Sequence, residues 1–298
     1  MRAETYWKQA LDQSEEALRT GSLIPLQTRL EQIIGKDDTQ FELRTLESRL
    51  PKHLKREGPK PNPFQPWDPQ LEVARPDADH ALILNKYPVQ RGHMLLITAD
   101  WAAQDDWLTI SDWESFVRVD DDTSGLWFFN SGPIAGASQP HRHLQLLPRQ
   151  KDAMCCPRDR WFQKQLQHLK ATDSNLDVLN NSCSVVSRLS QDNNQQTRAD
   201  ALHTSYLKLA QSLGLGQPSE NHRPRLSYNL LLTPQWMAMV IRRRESAAGF
   251  SVNGLGFAGY LLATAQSDLN WLKRHGPEAL LRQVVPEIRG STVVKTSH

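Results

Sequence analysis

Two stretches constrain the fold more than any other: HALILNKYPVQRGHMLLIT (80–98) and LSYNLLLTPQWMAMVIRR (226–243). Each reads as two short apolar runs parted by turn residues, Pro88 and Gly92 in the first, Pro234 and Gln235 in the second. Runs bounded in this way pair as β-hairpins. Two more strands are predicted at LWFFNSG (126–132) and HRHLQLLPR (141–149), joined by a loop of small residues, GPIAGASQP. A helix follows each hairpin. The recurrence suggests an internal duplication in pattern, although the two segments share little sequence.

Helices are expected at 3–20, where Tyr6, Ala10, Leu11 and Leu18 fall at helical spacing, and at 28–34, 158–172, 199–216, 254–273 and 278–285. Ser111 and Glu114 read as a capping box that starts another helix at Asp112. Asp120, Asp121 and Asp122 read as the solvated turn that ends it. The segment GPKPNPFQPWDPQL (58–71) holds five prolines in fourteen residues. That density forbids a helix or a central strand and predicts an extended connection able to border a site. SQDNNQQTRAD (190–200) predicts a polar loop. The sum is an α+β chain of antiparallel hairpins with helices packed to one side.

A chain of 298 residues suits one large domain or two smaller ones. No run approaches the roughly 18 apolar residues of a membrane span, and the N-terminus lacks the apolar region of a secretory signal. Cys155, Cys156 and Cys183 make neither a disulfide framework nor a CxxC pair, so a reducing, cytoplasmic setting is expected. The net charge of +2 is unevenly spread. Residues 1–150 carry 17 basic and 22 acidic side chains, net −5, and residues 151–298 carry 18 and 11, net +7. This asymmetry points to an anionic ligand near the C-terminal half. A near-neutral total without a recognised motif argues against nucleic-acid binding.

The chemistry concentrates in FNSGPIAGASQPHRHLQLLPR (129–149). Strand alternation places His141, His143 and Gln145 on one face, about 7 Å apart. Backbone N–H groups around Gly136, Ala137 and Ser138 offer an anion-binding concavity. Neutral imidazole attacks phosphorus competently near pH 7. His143 is then a nucleophile, oriented by a hydrogen bond from its other nitrogen. Gln145 is a donor to a non-bridging phosphate oxygen. The bare His-x-His-x-Gln pattern also fits a structural pair, and a zinc site through His141 is disfavoured for want of partners at ligand spacing. His93, next to a glycine in a turn, reads as structural.

NKYPVQRGHMLLIT followed by FFNSGPIAGASQPHRHLQLLP resembles the diadenosine tetraphosphate phosphorylase (ATP adenylyltransferase) branch of the histidine-triad superfamily. The likeness extends to LSYNLLLTPQWMAMVIRR and NGLGFAGYLL, and so covers about 80–150 and 220–265. Gln145 stands where a general histidine-triad protein has a third histidine. Galactose-1-phosphate uridylyltransferases share that form, so a sugar-phosphate nucleotidylyltransferase is one alternative and a non-catalytic nucleotide-binding sensor another. The ASQPHRHLQ context and NGLGFAG favour the phosphorylase.

The resemblance implies a histidine-triad-like antiparallel sheet with flanking helices. An N-terminal part (1–172) would hold the catalytic motif, and a C-terminal part (198–298) would complete the nucleotide site, both packed as one catalytic unit. It implies cleavage of diadenosine tetraphosphate with inorganic phosphate to ATP and ADP through an AMP–histidine at His143. Some members also exchange sulfate from adenylyl sulfate for phosphate. His143, Gln145 and His141 would be catalytic. Asn130, Gly136, Ala137, Ser138 and Gln139 would hold phosphates and ribose, and Asn85 and Lys86 would line the base or ribose pocket. Asn253, Gly254, Leu255 and Tyr260 would close the site from the C-terminal half, Tyr260 being bulkier than the small or unbranched residue expected. Lys52, chosen over Lys55, would hold the polyphosphate. The basic residues Arg223, Arg225 and Arg242–Arg244 would supply counter-charge. Small-molecule nucleotides and phosphate are the implied partners, with no nucleic acid and no membrane. No covalent cofactor and no protein-bound metal are implied, with Mg2+ able to accompany the nucleotide.

Overall fold

The computed structural model describes residues 2–47, 62–149, 153–171, 182–188 and 194–287. The chain opens with α1 (Thr5–Thr20), β1 (Thr28–Ile34), β2 (Gln40–Leu46) and β3 (Glu72–Ala74). Next come β4 (His80–Leu84), β5 (Met94–Thr98), α2 (Ile110–Asp122), β6 (Gly125–Asn130) and β7 (His143–Pro148). The middle holds α3 (Asp159–Ala171), β8 (Cys183–Ser187) and α4 (Gln195–Ser212). The rest is β9 (Tyr228–Leu232), β10 (Trp236–Ile241), β11 (Ser246–Ala247), β12 (Phe250–Ser251), α5 (Gly254–Ala258), β13 (Tyr260–Ala263), α6 (Leu269–His275) and α7 (Pro277–Gln283).

Eight strands form one antiparallel sheet in the order β3-β4-β5-β7-β6-β9-β10-β8. Both expected hairpins are present as β4–β5 and β9–β10. Strands from the two halves of the sequence meet at the β6–β9 pair. A three-stranded sheet, β1-β2-β13, lies apart.

The helices cover both faces, not one. Trp127 and Phe129 pack with α1, α2 and α4 through Ala10, Phe116 and Tyr206. Leu126 and Phe128, on the opposite side of the same strand, pack with Phe162, Phe257, Leu272 and Leu280 of α3, α5, α6 and α7. All residues of β6, β9 and β10 are buried, so a sheet apolar on both faces needs cover on both. On that second face β4 and β5 have a lighter cover among the described residues: Ala81, Ile83, Leu95 and Ile97 cluster with Phe64 and Trp67 of the proline-rich segment. Strand β7, which carries His143 and Gln145 of the His-x-His-x-Gln motif, runs between these two apolar patches.

Several expectations change. Residues 28–34 form β1, paired antiparallel with β2 from Thr28↔Leu46 to Ile34↔Gln40, rather than a helix. The 254–273 run is broken into α5, β13 and α6. Gly259, at φ 103°, closes α5 and turns the chain into β13, parallel to β2. The capping box is Thr109 with Asp112, so α2 starts at Ile110. Asp120 is buried, not solvated, and accepts from Trp127 Nε1 (3.1 Å) and Arg188 (2.8 Å). The polar run 190–200 is helical from Gln195, and its residues 190–193 lie outside the described residues.

Candidate active site

His143 opens β7, opposite Ile97 of β5. Alternation holds as expected: Leu144 and Leu146 enter one core, while His143 and Gln145 face the seam on the other side. The His143 ring is 4% exposed. Its Nδ1–H donates to the His141 carbonyl at 2.8 Å, which leaves the Nε2 lone pair to face the seam. Burial holds its pKa at about 4, so the ring is neutral near pH 7.

The ring of His141 has a different job. Its Nε2–H donates to the Thr98 carbonyl (2.9 Å) and its Nδ1 accepts from Asn62 Nδ2 (2.9 Å). Both nitrogens are thereby taken up, and burial lowers its pKa. What His141 gives to His143 is its carbonyl, while its ring anchors the proline-rich segment. Phe64 of that segment meets His143 edge-on at 5.5 Å and His141 at 5.6 Å. The proline-rich connection therefore borders the site.

Gln145 sits between Leu95 and Phe128 in register. Its Oε1 accepts from His93 Nε2 at 3.0 Å, and His93 Nδ1 lies 3.1 Å from Asn85 Nδ2. Asn85 also accepts the Tyr87 N–H at 3.1 Å, the turn cap its position suggests. Lys86 lies beside it, half-buried.

The loop 132–139 is built around Gly132 (φ 84°) and Gly136 (φ 87°). The N–H groups of Ala135, Gly136 and Ala137 close the turn on Gly132 and Pro133 carbonyls. No such bond ties the N–H groups of Ser138 and Gln139 among the described residues, so of the expected donors Gly136 and Ala137 are taken up by the turn, and Ser138, with Gln139 beside it, is left for an anion. A Cβ at Gly136 would come within 2.7 Å of Asn253 Cβ, so only glycine allows this approach. Asn253 caps α5 by accepting the Leu255 N–H at 2.9 Å. Asn130 Oδ1 accepts from Gly254 N–H and from Asn229 Nδ2, both at 2.8 Å. Asn130, Gly136, Asn253, Gly254 and Leu255 are thus brought together across the two halves of the sequence.

Tyr260 lies elsewhere. It lines a cavity of about 470 Å³ with Arg44, Gln90 and Arg149, which neither His143 nor Gln145 lines. Its hydroxyl accepts from Arg149 at 2.7 Å, and burial pushes its pKa up to about 12. Lys52 lies outside the described residues.

The basic cluster is not a free rim. Arg242 is buried and donates to Asn229 Oδ1 (2.6 Å), Ala135 O (3.2 Å) and Val252 O (2.8 Å), bracing the loop against the C-terminal half. Arg223 pairs with Asp105 and Asp106, Arg225 with Glu220, and Arg243 with Glu287. Arg244 Nε donates to the Gln283 carbonyl. Among the described residues no group of three His, Cys, Asp or Glu could hold a metal ion.

Gln104 was not foreseen. Its Oε1 accepts the His143 N–H at 2.8 Å, and its Nε2 donates to the carbonyls of Asn130 (2.8 Å) and His143 (3.2 Å). One carboxamide therefore ties the end of β6 to the start of β7. A lone glutamine in WAAQDDW carries no sequence pattern that announces this.

Comparison with known proteins identifies the family. Residues 1–164 match the Ap4A phosphorylase N-terminal domain, and residues 162–287 match the ATP adenylyltransferase C-terminal domain. The chain is 30% identical over 234 residues to diadenosine 5',5'''-P1,P4-tetraphosphate phosphorylase 2 of Saccharomyces cerevisiae, covering 70% of each chain. The crystal structure of the yeast Ap4A phosphorylase Apa2 superposes with a TM-score of 0.71 at 25% identity, over 96% of this chain and 95% of that one. The same yeast enzyme in complex with AMP gives 0.73 at 24% identity, over 97% and 100%. With both halves of the sequence matched, this chain belongs to the Ap4A phosphorylase/ATP adenylyltransferase family.

Proposed function

We propose that the chain cleaves diadenosine tetraphosphate with inorganic phosphate to give ATP and ADP. The observation that carries this reading is the 2.8 Å hydrogen bond from His143 Nδ1 to the His141 carbonyl. A neutral ring with its proton fixed on Nδ1 presents Nε2 as a nucleophile. Nε2 attacks the α-phosphorus of one adenylate, an Nε2–P bond forms, and the P–O bond to ATP breaks. An oxygen of inorganic phosphate then attacks the same phosphorus, the N–P bond breaks, and ADP leaves. The free amino group of Gln145 donates to the phosphoryl oxygens where charge gathers in both steps. The Ser138 and Gln139 N–H groups bind the phosphates, a reading supported by their lack of a backbone partner among the described residues. Lys52 and Lys86 are assigned to the polyphosphate and to the base or ribose, and Mg2+ enters as a companion of the nucleotide, not as a fixed part of the protein. Exchange of adenylyl sulfate would use the same intermediate. Three free, buried thiols fit a reducing, cytoplasmic setting, and no described helix is long and apolar enough to cross a membrane.

The test uses diadenosine tetraphosphate labelled at the α-phosphorus. Label should stay on the protein when phosphate is withheld, and chase into ADP when phosphate is added. His143→Ala should take up no label. Equal labelling of that variant, or symmetric cleavage to two ADP, would refute the reading.

A further inference from the structure

The hydrogen bonds behind Gln145 have a direction. The Asn85 carbonyl oxygen is held by the Tyr87 N–H, so its amino group is the end that turns to His93. An amide NH2 only donates and an amide oxygen only accepts. His93 therefore accepts at Nδ1 from Asn85 and, as a neutral ring, carries its proton on Nε2. That proton is donated to Gln145 Oε1. Gln145 is left with only its amino group to offer the strand face where His143 lies. Turned over, the same amide would oppose a carbonyl oxygen to a phosphate oxygen.

We propose that His93, clamped by Asn85, is a positioning residue that sets the sense of the Gln145 carboxamide, so that its amino group meets the transferring phosphoryl group. The inference rests on the phosphoryl-transfer reading for the identity of that ligand. It makes the Asn85 side chain part of the catalytic support as well as a turn cap. Burial keeps His93 neutral, with a pKa of about 4. The titratable and charged groups that face it are His143 on β7 and Arg149 just beyond β7, and both add to this lowering. From β6 it meets the ring of Phe128, at 5.8 Å.

Asn85→Asp distinguishes a directed relay from simple packing. The new carboxylate can only accept, so a neutral His93 must turn its proton toward it and present a bare Nε2 to Gln145. Only the imidazolium can donate both ways. The kcat of Asn85→Asp should approach that of the wild type at low pH and fall about tenfold or more as His93 loses its second proton, with KM little changed. The wild type should lack this limb. His93→Phe, which keeps the volume but not the donor, should lose kcat by about a hundredfold. A readout independent of turnover is the ring-nitrogen NMR shifts of His93 in the unliganded wild type. These should show the Nε2–H tautomer, unchanged from pH 6 to 8. A pH-flat Asn85→Asp at wild-type level, a fully active His93→Phe, or a titrating or Nδ1–H His93 would each overturn the proposal. If the wild type forms no AMP–enzyme, the phosphorylase reading fails, and the nitrogen shifts alone decide whether the relay stands.

Discussion

His143 keeps its proton on Nδ1 because the His141 carbonyl lies 2.8 Å from that atom, and the strand keeps that carbonyl in place. The placement depends on Gln104, whose partners lie 26 and 39 residues away. Replacing Gln104 with leucine would leave the His143 N–H and the Asn130 side of the bracket short of partners in a buried setting. We expect Gln104→Leu to lose roughly 3 kcal/mol of stability and to lower kcat more than it raises KM. Urea denaturation and steady-state kinetics would measure the two effects. The contrast with His143 and Gln145 shows where the sequence is readable. A period of two along one strand reveals which residues share a face, so HRHLQ could be read directly. Gln104 and Asn62 act on that face from separate loops and Thr98 from the end of β5, and no local period links them to it. The direction of the Asn85–His93–Gln145 chain was equally hidden, because it depends on which end of each amide is already occupied.

At the level of elements, the hairpins were legible because apolar runs and turn residues are local signals. The segments that failed were those whose conformation is decided by distant partners. TRLEQII offers a scattered pattern that suits a helix or an exposed strand. Pairing with β2, and the addition of β13 from more than 200 residues later, settles it as a strand. The apolar run after Gly254 looked continuous, but Gly259 divides it. A Cβ at Gly259 would sit 2.9 Å from Pro157 Cβ and 3.0 Å from Arg158 Cγ, at a backbone angle of φ 103°. Gly259→Ala should therefore cost about 2 kcal/mol or more, seen as a lower thermal midpoint. The loss should come with a loosened β13, reported by faster amide exchange at Leu261 and Ala263.

Across the whole molecule, one buried network joins the sheet to α2. His80 lies between Asp77 and Asp112, each at 3.2 Å, and Asp112 also accepts from Arg142 at 3.0 Å, the residue between the two motif histidines. Burial disfavours the charged imidazolium of His80, but the Asp112 and Asp77 carboxylates outweigh it, and the pKa is raised. The stabilisation from this group is complete below about 6.5, its unfolded value, and is lost as pH rises through the higher folded pKa. Burial likewise opposes the Asp112 charge, yet His80 and Arg142 lower its pKa. Its contribution is present above the ordinary aspartate value and fades as pH falls through the lower folded one. His80→Asn should cost about 3 kcal/mol near pH 6 and much less near pH 9, measured by denaturant titration at both. A cost independent of pH would show that packing, not charge, holds the network. The Phe64 ring has a consequence on the same scale. Edge-on to His143 and 5% exposed, it shelters that imidazole from bulk water. In the proposed mechanism, an adenylate carried on His143 would be kept from hydrolysis and would meet its next acceptor as a bound anion. The energy of the cleaved anhydride would then be kept in ADP, not lost as free AMP.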